Sequence, residues 1–144
     1  MMKINDVLHG KPSQVVVTVR PDATVRELIA LLAEHNVGAL VVSEDGERVS
    51  GIVSERDVVR HLHANESVLD TPVSQIMTSD VRTCAGEDVL TDLMQTMTEH
   101  RIRHVPVVAD GRLTGIISIG DVVKSRIGEL EFERDQLDHY VHQT

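Results

Sequence analysis

Two phrases sixty-four residues apart, GIVSERDVV at 51–59 and GIISIGDVV at 115–123, close two copies of one longer pattern. Upstream of the first, Val25, Leu28, Ile29 and Leu32 share one helix face at i, i+3, i+4 and i+7. Sixty-five residues on, that face returns as Leu90, Leu93, Met94 and Met97. Thr24 and Glu27 have the spacing of a capping box at the start of the first helix. GALVV (38–42) and HVPVV (104–108) read as short buried strands, each followed by an Asp-Gly turn signal at 45–46 or 110–111. A second strand, VSGIVS or LTGIIS, then runs into the helix ERDVVRHL or IGDVVKSR. Further upstream, INDVL (4–8) answers VSQIM (73–77), and VVVTV (15–19) loosely answers VRTC (81–84). Each copy therefore predicts helix, strand, turn, strand, helix, and HANESVLDTP (63–72) reads as the linker. A unit of roughly 60 residues buries only about 60% of its unfolded surface. The copies are accordingly expected to share a core.

Composition narrows the function. The net charge is −9 with no dense basic block, and residues 1–131 contain no Phe, Tyr or Trp. Nucleic-acid binding needs phosphate-neutralising cations or base-stacking rings, so it is not expected. No apolar run is long enough to span a membrane, and the N-terminus lacks the apolar core of a signal peptide, so a cytoplasmic protein is expected. Cys84 has no second cysteine to pair with and reads as a buried structural thiol. His61-x-His63, His139-x-x-His142 and the pair His100 and His104 could suggest a metal, yet no cysteine or carboxylate set accompanies them, and none is expected. Phosphate-loop, dinucleotide and nucleophile-elbow motifs are all missing from the sequence, so no catalytic residues are assigned.

The repeated phrase has two physical readings. Ser54 with Asp57, and Ser118 with Asp121, have the capping-box spacing. Gly51 and Gly115 precede them, and glycine inside a strand suggests a close approach to the backbone. Alternatively, an aspartate one turn into a helix can accept hydrogen bonds from the neighbouring hydroxyls of a ribose. Its own charge repels phosphate, which would then need cations elsewhere.

With these phrases closing two helix–strand–turn–strand–helix copies, the chain resembles the cystathionine-β-synthase (CBS) domain family over residues 4 to about 127. Two copies are similar to a CBS pair, or Bateman module. HRIRHVPVV (100–108) resembles the segment whose basic dipeptide contacts ligand phosphate in AMP-sensing members. The resemblance implies an α/β (α+β) fold: two tandem CBS repeats packed through their sheets with pseudo-twofold symmetry, followed by a C-terminal amphipathic helix. The implied units are 1–66, 67–127 and 128–144. It implies that Asp57 and Asp121 hold ribose, with Ser54 and Ser118 lining the same pockets. Arg56, Arg103 and His104 would face phosphate, whereas Gly120 and the first-copy counterparts Gly38 and Ala39 offer no charge. Thr18, Val19, Thr83 and Cys84 occupy the places that border adenine.

The implied function is a non-enzymatic regulatory module that binds an adenine nucleotide (AMP, ADP, ATP or NAD) as ligand rather than cofactor. Such modules pair as homodimers and control another protein. In the tail, Ile127, Leu130, Leu137 and Val141 form a near-heptad stripe interrupted by Arg134, suited to packing on its own domain or on a dimer or partner surface. The competing function is therefore a ligand-free dimeric adaptor acting through that helix.

Overall fold

The computed structural model describes residues 1–11 and 16–142; Val15 of the segment 15–19 thus lies outside the described residues. The chain runs α1 (Ile4–His9), β1 (Thr18–Val19), α2 (Val25–His35), β2 (Ala39–Val42), β3 (Gly51–Ser54), α3 (Glu55–Ala64), α4 (Leu90–His100), β4 (His104–Ala109), β5 (Arg112–Ser118) and α5 (Ile119–His142). Thr24 caps α2 as its spacing predicts: its hydroxyl accepts from the Glu27 amide, while the Glu27 carboxylate accepts from the Thr24 amide, both at 3.1 Å. Val25, Leu28 and Leu32 are buried, whereas Ile29 stands at the rim. The second copy repeats the face with Leu90, Leu93 and Met97.

β1 pairs parallel with β2, and β2 antiparallel with β3. β4 and β5 form the matching hairpin, with Cys84 bridged parallel to Val107 where the first copy has β1. The β4–β5 turn holds Asp110 and Gly111 at φ of 53° and 77°. Positive φ at both central positions suits the right-handed twist of a tight hairpin. In β2, Leu40 and Val42 belong to the first core, yet Ala39 and Val41 on the opposite face are also buried. β2 is thus covered on both faces, and in β4 Pro106 is buried between the core residues Val105 and Val107.

The two cores draw on segments out of sequence order. Val68, Val73 and Ile76, which follow the first copy, complete the core of α2, β2, β3 and α3. Ile4 and Val7 complete the core of α4, β4, β5 and α5. Corresponding bridges fasten them, Thr24 to Pro72 and Lys3 to Val89. The stretch 63–72 is consequently no free linker: it carries the end of α3 and a short 3₁₀ turn at Glu66–Asp70 with Val68 buried.

The repeated glycines serve this crossing. A Cβ on Gly51 would stand 2.6 Å from Met77 Sδ, and one on Gly115 would stand 2.7 Å from Leu8 Cδ2. Both distances are shorter than real contacts, so a side chain at either place would make its neighbour shift; at Gly51 the obstacle includes the Thr78 main-chain oxygen at 2.8 Å, while at Gly115 it is the Leu8 side chain. What approaches the backbone here is another segment of the chain itself, Met77 and Thr78 at Gly51 and Leu8 at Gly115, in line with the close approach that glycine inside a strand suggests.

Candidate functional site

Ser54 and Ser118 each end a strand and begin a helix, in α3 and α5. The Asp57 amide donates to Ser54 Oγ at 3.3 Å, and the Ser54 amide donates to Asp57 Oδ2 at 2.8 Å. In the second copy the Asp121 amide donates to Ser118 Oγ at 3.1 Å and the Ser118 amide to Asp121 Oδ2 at 2.9 Å. The capping reading therefore holds in both copies. It leaves Oδ1 of each half-buried carboxylate with no hydrogen bond among the described residues. An oxygen held in place beside a helix N-terminus can accept from a ligand hydroxyl.

The second copy adds charge. Lys11 Nζ lies 3.0 Å from Asp121 Oδ2 and donates also to the Ile116 carbonyl at 3.0 Å. Burial works to raise the Asp121 pKa, but the Ser118 hydrogen bonds and the Lys11 ammonium outweigh it and hold the carboxyl below its ordinary value. His104 opens β4 and is half-buried. Its ring and the Glu55 carboxylate both lie within 4 Å of the position a Cβ on Gly38 would take, so the first copy's strand start meets the second copy's. Burial lowers the His104 pKa and prevails over the opposing pull of Asp121 and Glu55, while Arg103 and Lys11 add to the lowering. Main-chain bonds from Glu55 to Gly38 (2.9 Å) and from Ile119 to Arg103 (2.8 Å) set the two crossings in the same geometry.

Ser118, Asp121, Arg103 and His104 thus form a cluster in the second copy, joined by Lys11 and Glu55. Ser54 and Asp57 form the smaller counterpart, with Arg56 exposed on the first turn of α3. Thr18 is half-buried in β1 and Thr83 is exposed. The Val19 and Cys84 side chains belong to the two hydrophobic cores, so their outward chemistry is that of their main chain. Burial, with a smaller contribution from Asp88, pushes the Cys84 thiol up to about 12. That matches the reading of a structural thiol.

Two clefts adjoin Lys11. One, of about 430 Å³, lies between α1 and α5 and is lined by Asp6, Val7, Asp121, Lys124 and Phe132. The other, of about 450 Å³, is lined by Leu8, Val16, Thr114 and Ile116. Of the candidate ligand-binding residues named from sequence, Asp121 is the one that lines either of them. Lys11 escaped the sequence reading because it lies outside the repeated phrase. Its signal was a charge reversal: Asp80 stands sixty-nine residues on, where Met77 answers Leu8. Among the described residues no group of His, Cys, Asp and Glu is placed to hold a metal, and no helix is long and apolar enough to cross a membrane.

The family model described as the CBS domain matches this chain twice, at residues 4–64 and 73–128. The crystal structure of a CBS-domain containing protein from Agrobacterium tumefaciens is 44% identical, covering 87% of this chain and 99% of that one with a TM-score of 0.82. A mitochondrial CBS domain-containing protein of Arabidopsis thaliana, CBSX3, is 39% identical over 83% of this chain and 61% of its own length. The CBS domain pair of protein MJ0100, solved in complex with 5′-methylthioadenosine and S-adenosyl-L-methionine, is alike in fold at 24% identity, with a TM-score of 0.76 over 85% of this chain and 98% of that one.

Proposed function

This chain belongs to the CBS-domain family, and from that membership we propose that it is a non-catalytic regulatory module that binds an adenine nucleotide between its two repeats. The ligand class is AMP, ADP, ATP or NAD, and its binding changes the hold on a partner protein. One observation carries the reading: two half-buried carboxylates at matched helix starts, the second set among Lys11, Arg103 and His104. A ribose diol donates to such a carboxylate in charge-assisted hydrogen bonds, each contributing about 1.5–3 kcal/mol. The phosphate, repelled by the aspartate, is accommodated by the cations alongside. The MJ0100 pair, alike in fold, holds two adenosyl compounds; the ligand class proposed for this chain rests on its own carboxylates and cations.

Calorimetric titration with AMP, ADP, ATP, NAD and S-adenosylmethionine tests the proposal. At least one nucleotide is expected to bind, with Asp121→Ala weakening it about tenfold or more, since ~1.4 kcal/mol is one decade. Heat from none of them, in protein freed of carried-over ligand, would sink it.

A second reading, a ligand-free dimeric adaptor acting through α5, is favoured by one feature. Ile127, Leu130, Phe132, Leu137, Tyr140 and Val141 stand 47–71% exposed along that helix. The two readings compete, and calorimetry separates them: heat from none of the nucleotides favours the ligand-free adaptor.

A further inference from the structure

The last helix carries a second, shorter repeat. Val123, Ile127, Leu130, Arg134, Leu137 and Val141 follow one another at steps of four, three, four, three and four. That alternation makes the narrow a/d seam of a coiled coil, not the broader stripe of a helix packed on a globular core. Ile127, Arg134 and Val141 fall at a, and Val123, Leu130 and Leu137 at d. β-Branched residues at a with leucine at d suit a parallel two-stranded pair. The body does not use this seam. α5 rests on it through buried Val122 and half-buried Ser125, Arg126 and Glu129, whereas Val123, Ile127, Leu130, Arg134 and Leu137 are exposed. Phe132 lines the groove with α1 beside Ser125 and Glu129, off the seam.

We propose that α5 pairs with α5 of a second copy as a parallel, in-register coiled coil whose register Arg134 sets by meeting the partner's Glu133. This inference rests on the α5 dimer of the second reading above, adds direction and register to it, and holds with or without a nucleotide. Charge chooses the direction. In a parallel pair a residue at g lies beside the next e of the other helix, and a residue at a beside the preceding g. Arg126 at g then meets the partner's Glu131, and Arg134 meets the partner's Glu133; Glu133 beside the partner's Asp138 is the one opposing pair. Arg126 keeps its bond to Glu129 at 2.9 Å, since a guanidinium has five N–H donors. The contact of Arg134 with Asp135, 3.5 Å and exposed, contributes little and is no obstacle. In the antiparallel pair that aligns all six layers, Glu131 and Glu133 each face their own copies, and Lys124 with Asp138 alone attracts at e and g. A polar residue at a single a position costs stability and fixes one register. The body already holds the first turns of α5, so pairing has only the remaining turns to order.

Oxidative cross-linking of the full chain reads direction and register. Leu130→Cys and Leu137→Cys, made singly, are both expected to form disulfide-linked dimers, since only a parallel in-register pair brings both positions to their own copies. Cys84 is buried with its thiol pushed up to about 12, so the unsubstituted chain serves as the unlinked control. Ile127→Cys chains that link to Leu137→Cys chains, with neither linking to itself, would reveal an antiparallel pair and overturn the proposal. Arg134→Leu is expected to tighten the dimer about tenfold or more in sedimentation equilibrium. An unchanged or weaker dimer in that variant puts Arg134 outside the seam and overturns the proposal as well. An unsubstituted chain that is monomeric at every concentration measured overturns the α5 dimer and this inference together. A dimer that links at neither Leu130→Cys nor Leu137→Cys overturns this inference alone, so the two failures are distinguishable.

Discussion

Asp57 and Asp121 each fix one carboxylate oxygen on the amide of the serine three residues earlier, and the bond that finishes the helix also aims the side chain. Capping thus uses one oxygen, Oδ2, of each group. His104 shows how position alters a residue's chemistry. Its ordinary pKa is 6.5, and burial lowers the value in the folded chain. Between the lowered value and 6.5 the unfolded chain binds a proton that the native chain refuses, so stability declines as pH falls through that interval. Denaturant unfolding at about pH 7.5 and about pH 5.5 measures this slope. His104→Asn is expected to flatten it. An identical slope in the variant would show that His104 does not carry it. A phosphate beside the ring opposes the lowering, so nucleotide affinity is expected to rise on acidification over the same range.

At the scale of elements, the decisive contacts are those between a strand glycine and the short segment that crosses from the other copy. α1 has only 6 residues, too few to be stable alone, and it is held by burying Ile4 and Val7 and by laying Leu8 on Gly115. Leu8→Ala is expected to destabilise the chain by about 2 kcal/mol through loss of apolar contact and the space left behind. Gly115→Ala should cost about 1–3 kcal/mol through overpacking. The two changes act on one contact, so the double variant is expected to be more stable than the sum of the single losses allows. Strict additivity in a denaturation cycle would mean that Leu8 does not rest on Gly115 in solution.

For the whole molecule, the exchange of segments makes each repeat depend on the other, so a single cooperative unfolding transition is expected in a denaturant titration. α5 extends further than the body needs. Its 24 residues span about 36 Å, and every described residue after Leu130 is exposed. A protruding stretch of helix this short is marginal in water by itself, and its apolar side chains invite a covering surface. Of the two readings of the tail, packing on its own domain reaches no further than the groove with α1. For the homodimer reading, Leu130→Asp combined with Leu137→Asp is expected to convert a dimer into a monomer in sedimentation velocity, leaving the far-ultraviolet circular dichroism of the body in place. A monomeric unsubstituted chain would exclude α5 as a self-association helix.

The sequence by itself determined the elements and their duplication. Periodicities of 3.6 and 2, capping serines and Asp-Gly turns are local, and each copy contains its own set. That is why Thr24, Ser54, Ser118 and the Asp110–Gly111 turn were all legible. Tertiary structure alone decided which core INDVL and VSQIM enter, since two similar apolar segments suit either one and only the chain path selects between them. It also decided what the glycines make room for, and that Lys11 reaches an aspartate 110 residues away. No spacing rule predicts such a pairing. Long-range ion pairs depend on where the backbone brings two side chains, and here the crossing of α1 onto the second repeat brings them together.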